Sequence, residues 1–453
     1  MATEKVSVTP LAGLEGWKAL GRQRQSILTR HPEEWIHWGL IAFIFLLPFP
    51  VFGPDGRNIV LYLLFIAWLI WRRSGARLSR DQASVGWALL LYLTVAGMSL
   101  LVSADVRASL LDFQRVPLNG LILFLILSQE AGDTRYLARY HLALVWASTL
   151  ITLYGLLGYF LGWGRNGGMV TSVYTWKNEL GYLLAVSVSI VAWELLTTRD
   201  RVRRVAWALL AFVQFALLLL SDTRAALVAV IVSTLILTVA LRRMKVLLVC
   251  IVAFMTLLAV SGQRIVTRHI SIVQPSTYVA GDLSGRVDLW GGTLAMIRER
   301  PLLGYGYGWR LFARRAQAFA NQTADARATS APHAHNLFLE TAYEMGLLGV
   351  AALCVLGGTV ALVLIKRCRV SRSGDESSRE MALLLLALYV VFGVISLTDY
   401  LLSDRLGALG WTLFAFAGAL ASETPWHGGT EKNVAGPPLF DASARRLPGR
   451  DRP

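Results

Sequence analysis

The residues best suited to acid–base chemistry lie together in the segment APHAHNLFLETAYEMGLLG, residues 331–349. His333 and His335 are two residues apart, and Asn336 follows directly, where a long apolar run begins. Histidine takes up a proton near neutral pH more readily than other side chains, so the pair could supply a general base. Two alternatives stay open on the residues alone: polar residues at a membrane boundary, or two ligands of a zinc ion.

A zinc site has the weaker support. Two histidines at this spacing can supply two ligands, but a third and a fourth are not apparent, and neither HExxH nor CxxC occurs. Of the three cysteines, Cys250 and Cys354 fall inside apolar runs and Cys368 in a basic loop, so no disulfide framework is expected. We therefore predict neither a bound metal nor a cofactor.

Two arginines add a second kind of chemistry. Arg224 opens an apolar run in SDTRAALVA, and Arg286 lies in DLSGRVDLW, upstream of the histidines. A planar guanidinium binds two phosphate oxygens at once, so two arginines beside a histidine base would suit group transfer from a lipid diphosphate. Plainer explanations exist: Arg224 could snorkel to lipid headgroups, and Arg286 could pair with Asp282 or Asp288.

The composition places these residues in a membrane protein. Of the 453 residues, 55% are hydrophobic and 16% are charged, whereas soluble domains carry about 25% charged residues. Apolar runs of roughly 17–25 residues recur along the chain, and this length spans a bilayer core. The runs are continuous rather than alternating, which predicts helices.

We predict an all-α polytopic membrane protein with about twelve spans and a large, partly helical periplasmic loop between spans nine and ten. Residues 1–34 are a cytoplasmic N-terminal segment, 35–261 hold spans one to nine, and 262–336 form the loop. Residues 337–421 hold spans ten to twelve, and 422–453 form a disordered cytoplasmic tail. The predicted spans are 35–53, 58–71, 84–103, 110–128, 141–161, 179–197, 205–221, 224–241, 246–261, 337–365, 380–398 and 404–421.

Basic residues give the orientation, because Lys and Arg of short loops concentrate on the cytoplasmic side. Stretches such as RDRVRR (199–204, read from Arg199) and RRMK (242–245) fall on one side when both termini are cytoplasmic, and the short loops opposite are poor in charge. The net charge of +15 is thus spread over many loops. Such spreading argues against a nucleic-acid-binding face.

The predicted periplasmic loop has internal order. WGGTLAMIRERP, residues 290–301, reads as a short helix ended by Pro301, and the glycine-rich turn GYGYG follows. WRLFARRAQAFANQTADARA, residues 309–328, carries apolar residues at helical spacing, which predicts a second helix. Loops of this size usually carry function.

HAHNLFLETAYEMGLLG resembles the H-x-H-N-x-x-L…E-x-G-x-x-G signature of the Wzy_C (O-antigen ligase) superfamily. Three further motifs of that superfamily occur in the same order: SxxR-A at Arg224, SGR…W at Arg286, and P-x-x-G-x-G-x-G from Pro301 to Gly308. Together they cover residues 221–349, and the chain looks most similar to the WaaL-type O-antigen ligases of Gram-negative bacteria.

The resemblance implies a function and residue roles. Such ligases transfer polysaccharide from undecaprenyl diphosphate to a sugar hydroxyl of lipid A core, at the periplasmic face of the inner membrane, with inversion and without metal or nucleotide. Carried over, His335 would be the catalytic base, and Arg224 and Arg286 would bind the donor diphosphate. The implied partners are undecaprenyl-diphosphate-linked O-antigen, lipid A core and membrane lipid, with no nucleic acid.

Further polar residues on the same predicted side could position substrate, although a structural role suits most of them equally well. They are His333, Asn336, Asn178, Lys177 and Asp399. The signature does not separate a ligase from an O-antigen polymerase or a protein O-oligosaccharyltransferase. A lipid-linked sugar flippase or other transporter is the alternative outside enzymes, but most spans lack the charged or broken mid-membrane segments that are typical of transporters.

Overall fold

The computed structural model describes residues 32–71, 78–130, 134–166, 169–246, 284–323, 325, 327–369, 376–402 and 407–421. Within these residues, seven helices are long and apolar enough to cross a membrane, and three shorter apolar helices accompany them. This confirms a helical, multi-pass membrane protein. The total of twelve spans stays a prediction, because span 246–261 falls almost entirely outside the described residues, as do most of the N-terminal segment and the tail.

The helices satisfy their backbone hydrogen bonds internally, as a span in lipid must. The first group is α1 (Pro32–Leu46), α2 (Gly53–Trp71), α3 (Arg80–Leu100), α4 (Val106–Phe113), α5 (Asn119–Glu130), α6 (Thr134–Leu161), α7 (Lys177–Thr197), α8 (Arg201–Ser221) and α9 (Arg224–Ala240). The second is α10 (Ser284–Glu299), α11 (Phe312–Thr323), α12 (Leu337–Arg369), α13 (Glu376–Ser396) and α14 (Gly407–Leu420). An antiparallel pair, β1 (Arg165–Asn166) and β2 (Met169–Val170), precedes α7.

The predicted fourth span begins earlier than expected, at Val106, and the two charged residues within its predicted bounds, Asp112 and Arg115, are both paired. Arg115 Nη2 lies 2.7 Å from Asp55 Oδ1. The buried carboxylate of Asp112 lies 3.2 Å from Nε of Arg310, which belongs to the segment between α10 and α11. Pairing removes much of the cost of placing charge in an apolar helix.

The predicted tenth span is not a continuous helix, because α12 opens at Gly346. The residue has φ 65° and ψ −166°, and a Cβ there would lie 2.2 Å from the carbonyl carbon of Leu302. Only glycine fits this close approach. The neighbouring segment supplies the hydrogen bond that the helix lacks at this point: Leu347 N donates to Pro301 O at 2.7 Å.

The glycine-rich turn after Pro301 docks on the same part of α12. Tyr305 N donates to Tyr343 O at 2.9 Å, and Gly306 N donates to Glu344 O at 3.0 Å. These bonds satisfy carbonyls that the break in α12 leaves without a helical partner. The turn therefore fixes the segment that carries the histidines against the segment that precedes α11.

The segment 284–336 has an apolar cluster of its own, into which the first turns of α12 also pack. Its buried members are Leu289, Met296, Ile297, Tyr305, Phe312, Ala316, Phe319, Ala334, Ala342 and Tyr343. The two predicted helices are present, but α10 begins at Ser284, well before the predicted start at Trp290. Leu289 and Met296 share a buried helical face, so the helix extends upstream and places Arg286 in its first turn.

Candidate active site

The centre of the site is a pair formed by His335 and Asp399. His335 Nδ1 lies 3.1 Å from Asp399 Oδ1, across 64 positions of sequence. Asp399 follows α13 and is buried, whereas the His335 side chain is 27% exposed. A histidine that gives its Nδ1–H to a carboxylate presents Nε2 as its proton-accepting nitrogen. The pair therefore has the chemistry of an oriented general base.

Asp399 joins several elements at one carboxylate. Its Oδ2 accepts hydrogen bonds from Asn178 Nδ2, at 3.1 Å, and from the hydroxyl of Tyr182. Its Oδ1 accepts the backbone N–H of Tyr400 at 2.8 Å. Asn178 and Tyr182 are one turn apart on α7, so they face the same way. The buried charge is fully solvated by protein donors, as it must be.

The His333–His335 turn is held from three sides. His335 has φ 50°, a left-handed conformation that is uncommon for a residue with a side chain. Glu340 Oε2 accepts the N–H of Ala334 at 2.6 Å, and Trp290 Nε1 donates to Ala334 O at 2.9 Å. The His335 N–H donates to His333 Nδ1 at 3.2 Å. These bonds offset the backbone strain and fix the imidazole next to Asp399.

Asn336 caps α12 and does not reach the imidazole. Its Oδ1 accepts from the N–H groups of Phe338 and Leu339, at 2.9 and 3.0 Å. Its Nδ2 donates to Leu397 O at 2.9 Å, near Asp399. Side-chain oxygens that cap a helix satisfy N–H groups without a helical partner. Asn336 thus ties the start of α12 to the end of α13, which holds the two halves of the pair together.

The two histidines differ electrostatically. Burial, followed by the positive charge of His335, lowers the pKa of His333 to about 4. At neutral pH His333 is therefore uncharged, in agreement with its role as acceptor of a backbone N–H. Burial alone would raise the pKa of Asp399, but the hydrogen bond and charge of His335 and the hydrogen bond of Tyr182 hold it well below its usual range. Asp399 is therefore an anion at every pH of interest.

His333, His335 and Asp399 also form the one group in the described residues with three ligand atoms close enough to share a metal ion. The atoms lie within 4.8 Å of one another. The folded chain thus offers a third possible ligand, Asp399, which is not apparent in the sequence because it lies 64 positions after His335. Each of these side chains already takes part in the hydrogen bonds given above, so the geometry does not require an ion. The absence of a metal stays a prediction.

Arg286 lies within electrostatic reach of His333. Its charge acts on both His333 and Tyr182, the latter a direct partner of Asp399. In the described part of the chain no ion pair joins Arg286 to Asp288, one of the two partners that its sequence offers. The other, Asp282, lies outside the described residues. The position is compatible with a role in binding an anion beside His335.

Arg224 and Lys177 belong to a second junction, where α7 begins and α9 begins. Lys177 Nζ donates to Asp222 O at 3.3 Å, and Thr223 Oγ1 donates to Lys177 O at 3.2 Å. Arg224 is the first residue of α9, directly after this turn. Lys177 thus fixes the Arg224 turn to α7, and the next residue, Asn178, binds Asp399.

The fold and site define a helical, multi-pass membrane protein in which a histidine is hydrogen-bonded to a buried carboxylate near the ends of its helices. Residues 208–354 match the Wzy_C family model, described as O-Antigen ligase. The match confirms the family resemblance and contains Arg224, Arg286 and both histidines. It indicates an enzyme of the glycosyltransferase type. A search of curated proteins found no match.

The structure brings most of the predicted polar residues together. His333, His335, Asn178 and Asp399 meet directly, and Asn336 and Lys177 support them from neighbouring turns. Sequence reasoning missed Tyr182, Glu340 and Trp290. The i, i+4 spacing of Asn178 and Tyr182 is the signal that could have identified the first. Glu340, an acid in a long apolar run, was visible as an unusual residue but not as the acceptor for Ala334.

Proposed function

We propose that this protein is an O-antigen ligase. It transfers a polysaccharide from undecaprenyl diphosphate to a sugar hydroxyl of lipid A core, at the periplasmic face of the inner membrane and without a metal ion. The family match supports the reaction class, and the His335–Asp399 pair is the observation that carries the chemistry.

His335 acts as the base. The acceptor hydroxyl gives its proton to Nε2 of His335 while its oxygen attacks the anomeric carbon of the donor glycan. The bond between that carbon and the diphosphate oxygen breaks, and its electron pair leaves with undecaprenyl diphosphate. Attack opposite the leaving group inverts the anomeric centre. Asp399 holds the Nδ1–H and stabilises the imidazolium that forms, as a buried carboxylate does in a hydrolase triad.

Arg224 and Arg286 bind the diphosphate in this proposal. Negative charge grows on the leaving oxygens in the transition state, and a guanidinium that contacts two of them stabilises this charge most in a water-poor site. Arg286 lies within electrostatic reach of His333, and Arg224 follows the turn that Lys177 joins to α7. The chain itself thus supplies the base and the anion-binding groups. The free energy that drives the transfer comes from cleavage of the bond between the donor sugar and the diphosphate.

The experiment is a gene deletion in the source bacterium, followed by gel analysis of lipopolysaccharide. A ligase is expected to give core without polymer, with polymer accumulating on undecaprenyl diphosphate, and the wild-type gene should restore the ladder. Lipopolysaccharide that carries a single repeat would instead identify a polymerase. An unchanged ladder together with loss of glycan from a protein would identify a protein O-oligosaccharyltransferase.

A further inference from the structure

A cavity of about 180 Å³ lies beside the proposed transfer site and takes no part in the mechanism above. It is bounded by the α1–α2 connection, by the segment that leads into α7, by the first turns of α7, and by Leu409 of α14. Its polar lining consists of Arg57, Tyr174, Thr175 and Glu179, and leucines, prolines and one glycine supply the rest. Opposite charges, a phenol and apolar walls thus line the same void.

The polar wall is held in place. Arg57 is buried, and its guanidinium donates to Leu47 O at 3.0 Å and to Gly53 O at 3.1 Å. The hydroxyl of Tyr174 donates to Pro48 O at 2.6 Å. Both side chains are thus tied to the backbone of the α1–α2 connection, while Thr175 is exposed at the edge of the cavity. Groups fixed in advance cost less ordering when a ligand binds.

The first turn of α7 connects this cavity to the His335 site. Lys177 is hydrogen-bonded to the turn before Arg224, Asn178 is hydrogen-bonded to Asp399, and Glu179 lines the cavity. Consecutive Cα atoms are about 3.8 Å apart, so these three surroundings are next to one another. One turn further on, the pattern repeats, since Tyr182 binds Asp399 and Leu183 lines the cavity.

We propose that the cavity is a sugar-binding subsite that holds one uncharged pyranose ring, adjacent in its glycan to the sugar that reacts at His335. This inference rests on the proposed function and names a place for part of one substrate. The carboxylate of Glu179 accepts hydrogen bonds from the sugar hydroxyls, Arg57 and Tyr174 fix the polar edge, and the leucines and prolines contact the C–H faces of the ring.

Size and charge favour this occupant over the others. Pockets for drug-sized ligands enclose about 300–1,000 Å³, so the volume suits a single ring rather than an extended glycan. The carboxylate of Glu179 opposes a phosphate, and two charged side chains in the wall oppose a lipid tail. The ring belongs either to the donor polysaccharide or to the lipid A core, and the experiment separates the two sources.

The test is protection of a cysteine at the cavity edge. Thr175→Cys is made in a full-length chain whose native cysteines are serine, and it is labelled with a maleimide in nanodiscs. Thr323→Cys, also exposed but on α11, is the matched control. At a substrate concentration of ten times Kd, labelling at position 175 should slow about tenfold by mass action, and labelling at position 323 should not change.

Purified lipid-linked donor and purified lipid A core are added separately. Protection by the donor alone places a donor sugar in the cavity, and protection by the core alone places an acceptor sugar there. Equal labelling with and without both substrates overturns the subsite, as does protection by nanodisc lipid or free undecaprenyl phosphate, which lack a sugar.

A second variant covers the case in which Thr175→Cys disturbs the chain. Glu179→Gln keeps the shape of the side chain and removes its charge, so KM for the protected substrate should rise about tenfold while kcat stays within about twofold. An unchanged KM contradicts the subsite. Failure of the proposed function has a different signature: wild-type protein that is protected by a glycan but transfers nothing.

Discussion

His335–Asp399 and His141–Glu194 are both histidine–carboxylate pairs at hydrogen-bond distance, 3.1 Å and 2.9 Å, and both involve α7. Asn178, near the first residue of α7, binds Asp399, whereas Glu194 lies near its last turn. The pairs therefore occupy opposite ends of the same helix. Their chemistry is alike, and their surroundings are not.

The His141 side chain is 5% exposed and stands edge-on to Trp193, among apolar residues of five helices. It belongs to the regular helix α6. His335 is 27% exposed, has a left-handed backbone and adjoins a second histidine. A histidine–carboxylate pair therefore does not by itself indicate a catalytic site. Access for a substrate, backbone strain and the charge of Arg286, which acts on the neighbouring His333, distinguish the pair that we assign to catalysis.

The largest expected difference comes from removing each histidine. His335→Ala should lower the rate of transfer by about 10²–10⁴-fold, the usual contribution of a general base. His141→Ala should keep transfer near the wild-type rate but lower the melting temperature, because Glu194 loses its partner at a cost of about 1–3 kcal/mol. Ligation in a complemented deletion strain, with membrane levels checked by immunoblot, measures the first, and thermal unfolding in detergent measures the second. A fully active, well-expressed His335→Ala protein would refute the assignment.

Substitutions of the two proposed diphosphate-binding arginines test the third distinguishing feature. Arg224→Lys and Arg286→Lys keep the charge but lose the planar fork, so each should cost about 2–4 kcal/mol of transition-state stabilisation, by analogy with a single oxyanion-hole donor. Arg314→Lys is the control, since this exposed side chain of α11 only pairs weakly with Asp105 at 3.4 Å. The readout is kcat/KM with purified donor and acceptor. Wild-type values for both test variants would show that positive charge alone suffices.

A smaller effect is expected from pH, through His333. Its pKa of about 4 lies below the ordinary value of 6.5, so the unfolded chain binds a proton more readily than the folded one between these limits. Stability should therefore be complete above pH 6.5 and fall as the pH drops toward 4, by about 3 kcal/mol in total. His333→Asn should flatten the dependence of melting temperature on pH in this window. An identical pH dependence in both proteins would contradict the burial of a neutral imidazole.

Metal removal should have the smallest effect. The enzyme is expected to keep full activity in excess EDTA, and His333→Ala should weaken transfer far less than His335→Ala. Under a shared zinc site, by contrast, both substitutions would be equally damaging and added zinc would restore activity lost to EDTA. This result would identify the His333–His335–Asp399 group as a metal centre rather than as a hydrogen-bonded base.

Part of the candidate site could be predicted from the sequence. Short motifs select His335, Arg224 and Arg286 from the sequence, and their catalytic and diphosphate-binding roles stay predictions. Asp399 was visible only as a charge at the end of a span, since its contact with His335 depends on how α12 and α13 meet. Gly346 was a motif position, but that it opens α12 to receive the Pro301 turn follows only from the packing. Close pairs across long sequence separations have no local signature.

The most direct test of the central claim is a double-mutant cycle on His335 and Asp399, with single-turnover transfer from purified lipid-linked donor to lipid A core. If Asp399 acts by orienting and charging His335, then Asp399→Asn in the His335→Ala background should change the rate little, and the double variant should match His335→Ala within about threefold. If the two losses instead multiply, the residues act independently, and the His335–Asp399 pair is not the unit that performs the transfer.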